Sequence, residues 1–145
     1  MSYQTWHNYG YGICVDDIRE HSAARLEELL KLAPELQARM RAWLMEKGIS
    51  APAWEDYMEY DTDYDLGLAV ILREAIHEIE GIELTACDDF ECNRYLIYQP
   101  SYPWNLSDTE RNLTEDGMTE LFQRYTGILT DETISIDHQS VENGG

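Results

Sequence analysis

Residues 83–99 read ELTACDDFECNRYLIYQ, two short apolar runs separated by an acidic, cysteine-flanked connection. Glu83 to Ala86 and Asn93 to Gln99, the latter carrying Tyr95, Leu96, Ile97 and Tyr98, have the β-branched and aromatic content of strands, and CDDFEC between them reads as the link of a β-hairpin. Helical patterns flank this hairpin on both sides. On its N-terminal side, Leu68, Ile71, Leu72, Ala75, Ile76 and Ile79 recur at helical spacing from about Leu66 to Glu80; Asp63 or Asp65 would cap that helix and Gly81 would stop it. On its C-terminal side, Pro100 and Pro103 end the strand. A broken helical region then runs from Ser107 or Asp108 to about Tyr125, interrupted near Gly117 and recapped by Thr114.

Further out, Tyr3 to Val15 is rich in Tyr, Trp and Ile with Gly10 and Gly12 between them, which predicts an extended segment ended by Asp16 and Asp17. Ile18 to Lys31 and a segment opened by Pro34 and closed by Gly48 are amphipathic helices, with Leu36, Met40, Trp43 and Leu44 on the apolar face of the second. Thr133 to Asp137 alternates like a final strand, and VENGG at the end reads as frayed. Strands at both ends and in the middle, with helices grouped between them, predict one α+β domain over residues 1–145. Its small antiparallel sheet, built from the N-terminal strand, the central hairpin and the C-terminal strand, would be covered by three to four helices.

The charge narrows the function more than any motif does. The 29 acidic and 10 basic residues give a formal net charge of −19. The first 50 residues hold 7 acids and 6 bases, whereas residues 51–145 hold 22 acids and 4 bases. Such a surface repels nucleic acid at physiological salt, so direct binding to DNA or RNA is not expected. With 10 Tyr and 4 Trp the chain is too aromatic for a disordered acidic tail. Without a membrane-length apolar run or a secretory signal, the expected location is the cytoplasm, with no membrane partner and with Cys14, Cys87 and Cys92 reduced.

Candidate chemistry is weak throughout. Asp61, Asp63 and Asp65 begin like a calcium loop, but position 6 is Leu66 and position 12 is Leu72, so both the sharp turn and the closing ligand are missing. Glu74 and His77 share a helix face as in half of a di-iron site, without a second copy. Cys87 and Cys92 could join Cys14 and His7 around zinc only at loose spacing, and Gly10-Tyr11-Gly12 lacks the rest of a dinucleotide fingerprint. No nucleophile motif or phosphate loop is present, so neither catalysis nor a cofactor is expected. The most unusual stretch is Ala51 to Asp65, APAWEDYMEYDTDYD, with 6 acids, no bases and interleaved aromatics. Asp61, Asp63 and Asp65 on one side of an extended segment would lie about 6.6 Å apart, comparable to neighbouring phosphates on a nucleic-acid strand. The expected partner-binding residues are therefore Trp54, Glu55, Asp56, Tyr57, Glu59, Tyr60, Asp61, Asp63, Tyr64 and Asp65, joined by Asp88, Asp89 and Glu91 of the hairpin link, with the aromatics as desolvated anchors; the alternative is a solvated acidic loop whose aromatics belong to the core.

In overall charge and in the segments WEDYMEYDTDYD and CDDFEC, the chain resembles the small acidic inhibitors that phages and mobile elements carry against bacterial nucleases, above all the DNA-mimicking anti-CRISPR proteins. YLIYQPSYPW and SIDHQSVENGG likewise look like pieces of mobile-element proteins. The resemblance implies an inhibitor, not an enzyme, whose partner is a basic nucleic-acid-binding protein. That partner would be an RNA-guided nuclease such as Cas9 with its guide RNA, bound where DNA would lie. Two rivals follow from the same composition: a metal-dependent hydrolase using a carboxylate cluster, and an acidic accessory or structural protein of a phage or mobile element.

Overall fold

The N-terminal aromatic stretch forms a ten-residue strand, β1 (Thr5–Cys14), and this strand organises the sheet. The computed structural model describes residues 5–60, 66–89, 91–99, 110 and 113–144. The expected hairpin forms from β2 (Thr85–Asp88) and β3 (Arg94–Tyr98), paired antiparallel from Thr85↔Ile97 to Asp88↔Arg94. A fourth strand, β4 (Asp137–Gly144), lies antiparallel to β1 from Thr5↔Gly144 to Gly12↔Asp137, and the sheet order is β2-β3-β1-β4. This corrects the C-terminal reading: Thr133 to Ile136 is the connection into the strand, Asp137 is its first residue, and most of the residues expected to fray are paired. Ile134 is buried in the core, which fixes the connection. The N-terminal part of β1 then offers a continuous row of backbone partners to the following segment, and pairing overrides its poor strand propensity.

The sheet is rolled rather than flat. β2 and β4 stand at opposite edges in hydrogen-bonding order, yet their Cα atoms come within 8 Å of each other. Residues 5–12 of β1 pair with β4 and residues 11–14 with β3, so the strand turns a corner as it changes partners. Glycine makes this possible, since a Cβ at Gly12 would sit 2.1 Å from the Leu96 carbonyl oxygen. Ile97 and Val141, on the Gly12 side of the sheet, are 0% and 1% exposed and fill the inside of the roll. Ile13 and Leu96 point the other way and join the main core with the helices.

Five helices occur among the described residues. Val15–Asp17 form a single tight turn, and α1 (Ala23–Lys31) begins later than expected because the Ser22 hydroxyl accepts a hydrogen bond from the Arg25 N–H and sets the start. In α2 (Pro34–Glu46), Pro34 is the first residue, as its lack of an N–H favours, and Leu36, Met40 and Leu44 are buried. Ala33 has no side chain to cap this helix. Glu78 takes the role across space, accepting from the backbone N–H groups of Glu35 (3.0 Å) and Leu36 (2.8 Å). Next come α3 (Trp54–Met58) and α4 (Leu68–Glu80), which packs against β2 and β3 and ends at Gly81 in the left-handed conformation (φ 72°). The last, α5 (Glu115–Leu129), crosses Gly117 without a break. Gly117 lies in the first turn, where the Thr114 hydroxyl accepts its N–H at 3.0 Å, so its low helix propensity costs little there. Met118, Leu121, Phe122, Tyr125 and Leu129 form a buried stripe facing α1 and β1. No helix among the described residues is long and apolar enough to cross a membrane.

Candidate partner-binding face

The link between β2 and β3 is built around one carboxylate. Asp89 accepts from the backbone N–H groups of Glu91 and Asn93, both at 2.9 Å, from the Asn93 amide at 3.2 Å and from the Tyr95 hydroxyl at 3.3 Å. Desolvation works against its charged form, but the hydrogen bonds from Asn93 and Glu91 outweigh it and hold the carboxyl below its ordinary range. The turn closes with Cys92 at φ 64°, an uncommon conformation for a residue with a Cβ. Because Asp89 is turned inward, Asp88 (half-buried) and Glu91 (exposed) carry the outward charge of this link.

Beside it runs the loop that follows β1. The Asp16 carboxylate accepts from the Arg94 backbone N–H at 2.7 Å and from its guanidinium at 3.0 Å, tying the loop to the first residue of β3. Asp17 is exposed next to it. The accumulated negative charge is felt by its neighbours: burial, helped by Asp88 and Asp89, pushes the Cys87 thiol up to about 11. Burial together with Cys14, Asp89 and Asp17 pushes Tyr95 up to about 12. Cys14 is also raised, by burial first and then by Asp17 and Asp16 against its backbone hydrogen bonds. Thiols raised in this way are poorer nucleophiles at neutral pH. Among the described residues no group of three His, Cys, Asp or Glu side chains is arranged to hold a metal ion. An open groove of 550 Å³ lined by Asp89, Glu91, Asn93, Tyr95, Ser140 and Glu142 joins the hairpin link to β4.

The other acidic segment borders the same loop, and its residues 54–58 are helical. Trp54 and Tyr57 are each 6% exposed and belong to the core, which corrects their reading as surface anchors. The Trp54 indole stacks on His21 of the β1–α1 loop at 4.9 Å, and the Tyr57 hydroxyl donates to Glu27 at 3.0 Å. Burial, then that bond, raises Tyr57 to about 12. Asp56 accepts from the Ala53 N–H at 2.8 Å, Glu59 lies 3.7 Å from Lys47, and Tyr60 packs edge-on against Trp43. Glu55 is exposed. Asp61, Asp63, Tyr64 and Asp65, and with them the proposed carboxylate row and helix caps, lie outside the described residues. Gly67 (φ 49°) brings the end of α3 and the start of α4 against the hairpin, since a Cβ there would meet Arg94 Nη1 at 3.1 Å and Met58 sulfur at 3.6 Å.

Both acidic segments therefore flank one loop, and that loop contributes Asp16 and Asp17, which the sequence reading treated only as strand terminators. Glu142 was missed as well, because it falls in residues read as a loose tail. The Asp-Asp pair directly after a strand was the available signal. Compared with known protein families, curated proteins and solved structures, the chain matches none.

Proposed function

We propose that this protein is an inhibitor that binds the basic nucleic-acid-binding cleft of a partner protein, its carboxylates taking the place of phosphates, with an RNA-guided nuclease as the intended partner. The observation that carries this reading is the gathering of acids around the β1–α1 loop. Asp16, Asp17, Asp88, Asp89 and Glu91 come from segments some 70 residues apart and meet at one end of the sheet. Arg94 lies among them with its guanidinium already held by Asp16. Fixed anionic groups on a rigid frame suit an arginine- and lysine-lined groove, because they bind without losing much conformational freedom. The raised thiols of Cys14 and Cys87 give no support to nucleophilic chemistry at the same place.

The test is competition. Purified protein is titrated into guide-loaded nucleases of the Cas9 type, and target-DNA binding and cleavage are followed separately. Asp17→Lys, Glu91→Lys and Glu142→Lys together reverse charge without replacing a side chain that bonds to Asp89. Glu46→Lys, Glu120→Lys and Glu132→Lys make the same change in net charge at exposed positions elsewhere. Loss of inhibition in the first variant and retention in the second is the expected result. Equal effects of the two would reduce the acids to general solubility and refute the assignment of this face.

A further inference from the structure

Away from the acidic end, the helix-facing side of the sheet carries three tyrosines in adjacent register: Tyr9 and Tyr11 on β1, and Tyr98 on β3 opposite Tyr11. With His138 of β4 and with Met118 and Glu115 of α5, they line a cup of 300 Å³. That volume is at the small end of ligand-site sizes, about 300–1,000 Å³, and suits one side chain better than a larger molecule. The cup is held in shape. The Tyr11 hydroxyl and the Thr119 hydroxyl are hydrogen-bonded at 2.6 Å, and the Tyr11 ring meets His138 edge-on at 5.0 Å. Tyr9 is 65% exposed, although its ring is large and apolar.

We propose that this cup receives one arginine side chain of the basic partner, an inference that rests on the reading above and adds a specific contact to it. Aromatic faces are electron-rich and attract a guanidinium, which also stacks flat on them as a compact ammonium does not. The start of α5 contributes a partial positive charge of about half a unit, which disfavours a cation. Glu115, which lines the cup with its carboxylate 3.5 Å from His138 Nε2, and Asp116 beside it in the first turn bring two full negative charges. An anion is repelled there.

The first experiment uses the protein alone, with fluorotyrosine incorporated and followed by fluorine NMR. N-acetyl-arginine amide is expected to shift the Tyr9, Tyr11 and Tyr98 signals saturably, whereas the neutral citrulline analogue is not. Equal shifts from both probes, or none from the arginine probe, would overturn the proposal. The second experiment is the nuclease titration with Tyr9→Phe, Tyr9→Leu and Glu115→Gln, each checked for unchanged thermal unfolding. Tyr9→Phe should inhibit like the parent, while Tyr9→Leu, which keeps apolar bulk without a π-face, should lose about tenfold in potency. Full inhibition by both Tyr9→Leu and Glu115→Gln removes the cup from the interface and leaves the acidic-mimic reading standing. Arginine-specific binding to the isolated protein with no nuclease inhibited supports the cup and overturns the choice of partner.

Discussion

Replacing Asp89 by alanine tests whether the hairpin link is a structural device or a contact surface. The carboxylate receives two backbone N–H bonds at 2.9 Å and two side-chain bonds at 3.2 and 3.3 Å. Each typical hydrogen bond contributes about 0.5–1.5 kcal/mol net. The site is only half-buried and two of the contacts are long, so the sum is set nearer about 2 kcal/mol than the upper limit. For a chain of 145 residues the unfolding entropy implies a fall in Tm of roughly 6 °C, read by circular dichroism at pH 7. Asp89→Asn can keep an oxygen for the two backbone donors and should lose about half as much. The sign of the pH dependence follows from the carboxyl being held below its ordinary value of 3.8 in the folded protein. The unfolded chain then takes up the proton first, so this stabilisation is complete above about pH 5 and disappears as pH falls through the folded pKa. The gap between parent and Asp89→Asn should therefore close in acid. A Tm within 1 °C of the parent for Asp89→Ala, or a gap unchanged between pH 7 and pH 2.5, would refute this account.

Other positions give sharper contrasts. Gly12→Ala places a Cβ 2.1 Å from a carbonyl oxygen of β3, so the urea midpoint should drop by the equivalent of about 2–4 kcal/mol as the strands are forced apart. Glu78→Ala removes the carboxylate that caps α2 from α4, with an expected loss of about 1–2 kcal/mol in the same denaturation assay and a smaller loss for Glu78→Gln. Trp54→Ala should cost about 3–5 kcal/mol as a core truncation, whereas Glu55→Lys next to it should leave stability within about 0.5 kcal/mol. If the protein binds a basic cleft, stopped-flow association should slow by about tenfold or more between 50 and 500 mM salt while the fold persists. A salt-independent rate would remove electrostatic steering from the mechanism.

Periodicity located α2, α4 and the hairpin because their signals are local: Pro34 opens one helix, Gly81 closes another, and apolar positions recur between. What the sequence hid was set by long-range pairing. Asp137 to Gly144 has little strand character of its own and is extended because β1 lies beside it. The Thr114 cap, by contrast, was legible, and Gly117 lies within the first turn that it starts. The acidic segment around Trp54 and Tyr57 was visible as unusual, but composition does not say which way an aromatic ring points. Here Trp54 and Tyr57 turn inward, while Glu55 and Glu59 are exposed. Asp16 and Glu142 escaped notice for a related reason, since each joins the candidate face through a strand partner distant in sequence.

The uneven charge along the chain acquires a physical sense from the fold. Bases of the first third pair both nearby and across the fold: Lys31 meets Glu28 on the same helix, Arg25 bridges Glu20 and Asp131, at 3.2 and 2.6 Å, which pins α1 to the end of α5, and Lys47 approaches Glu59. In the remaining chain Arg73 sits on Glu74, Arg124 on Glu80 and Arg94 on Asp16. Most of these pairs are exposed and each contributes little to stability. Apart from Arg94, the paired Lys and Arg residues lie on the helical body. Around the hairpin link and the β1–α1 loop, Asp16, Asp17, Asp88, Asp89 and Glu91 outnumber Arg94 and set the potential at that end of the sheet. Self-repulsion there weakens the fold, and the inward hydrogen bonds of Asp89 and the Asp16–Arg94 contact offset it at the point where carboxylates crowd most. Asp89 and Asp16 use their oxygens in internal bonds, so under the proposed reading exposed Asp17 and Glu91 are the acids that would meet a basic partner, and the internal bonds serve to shape the turn that presents them.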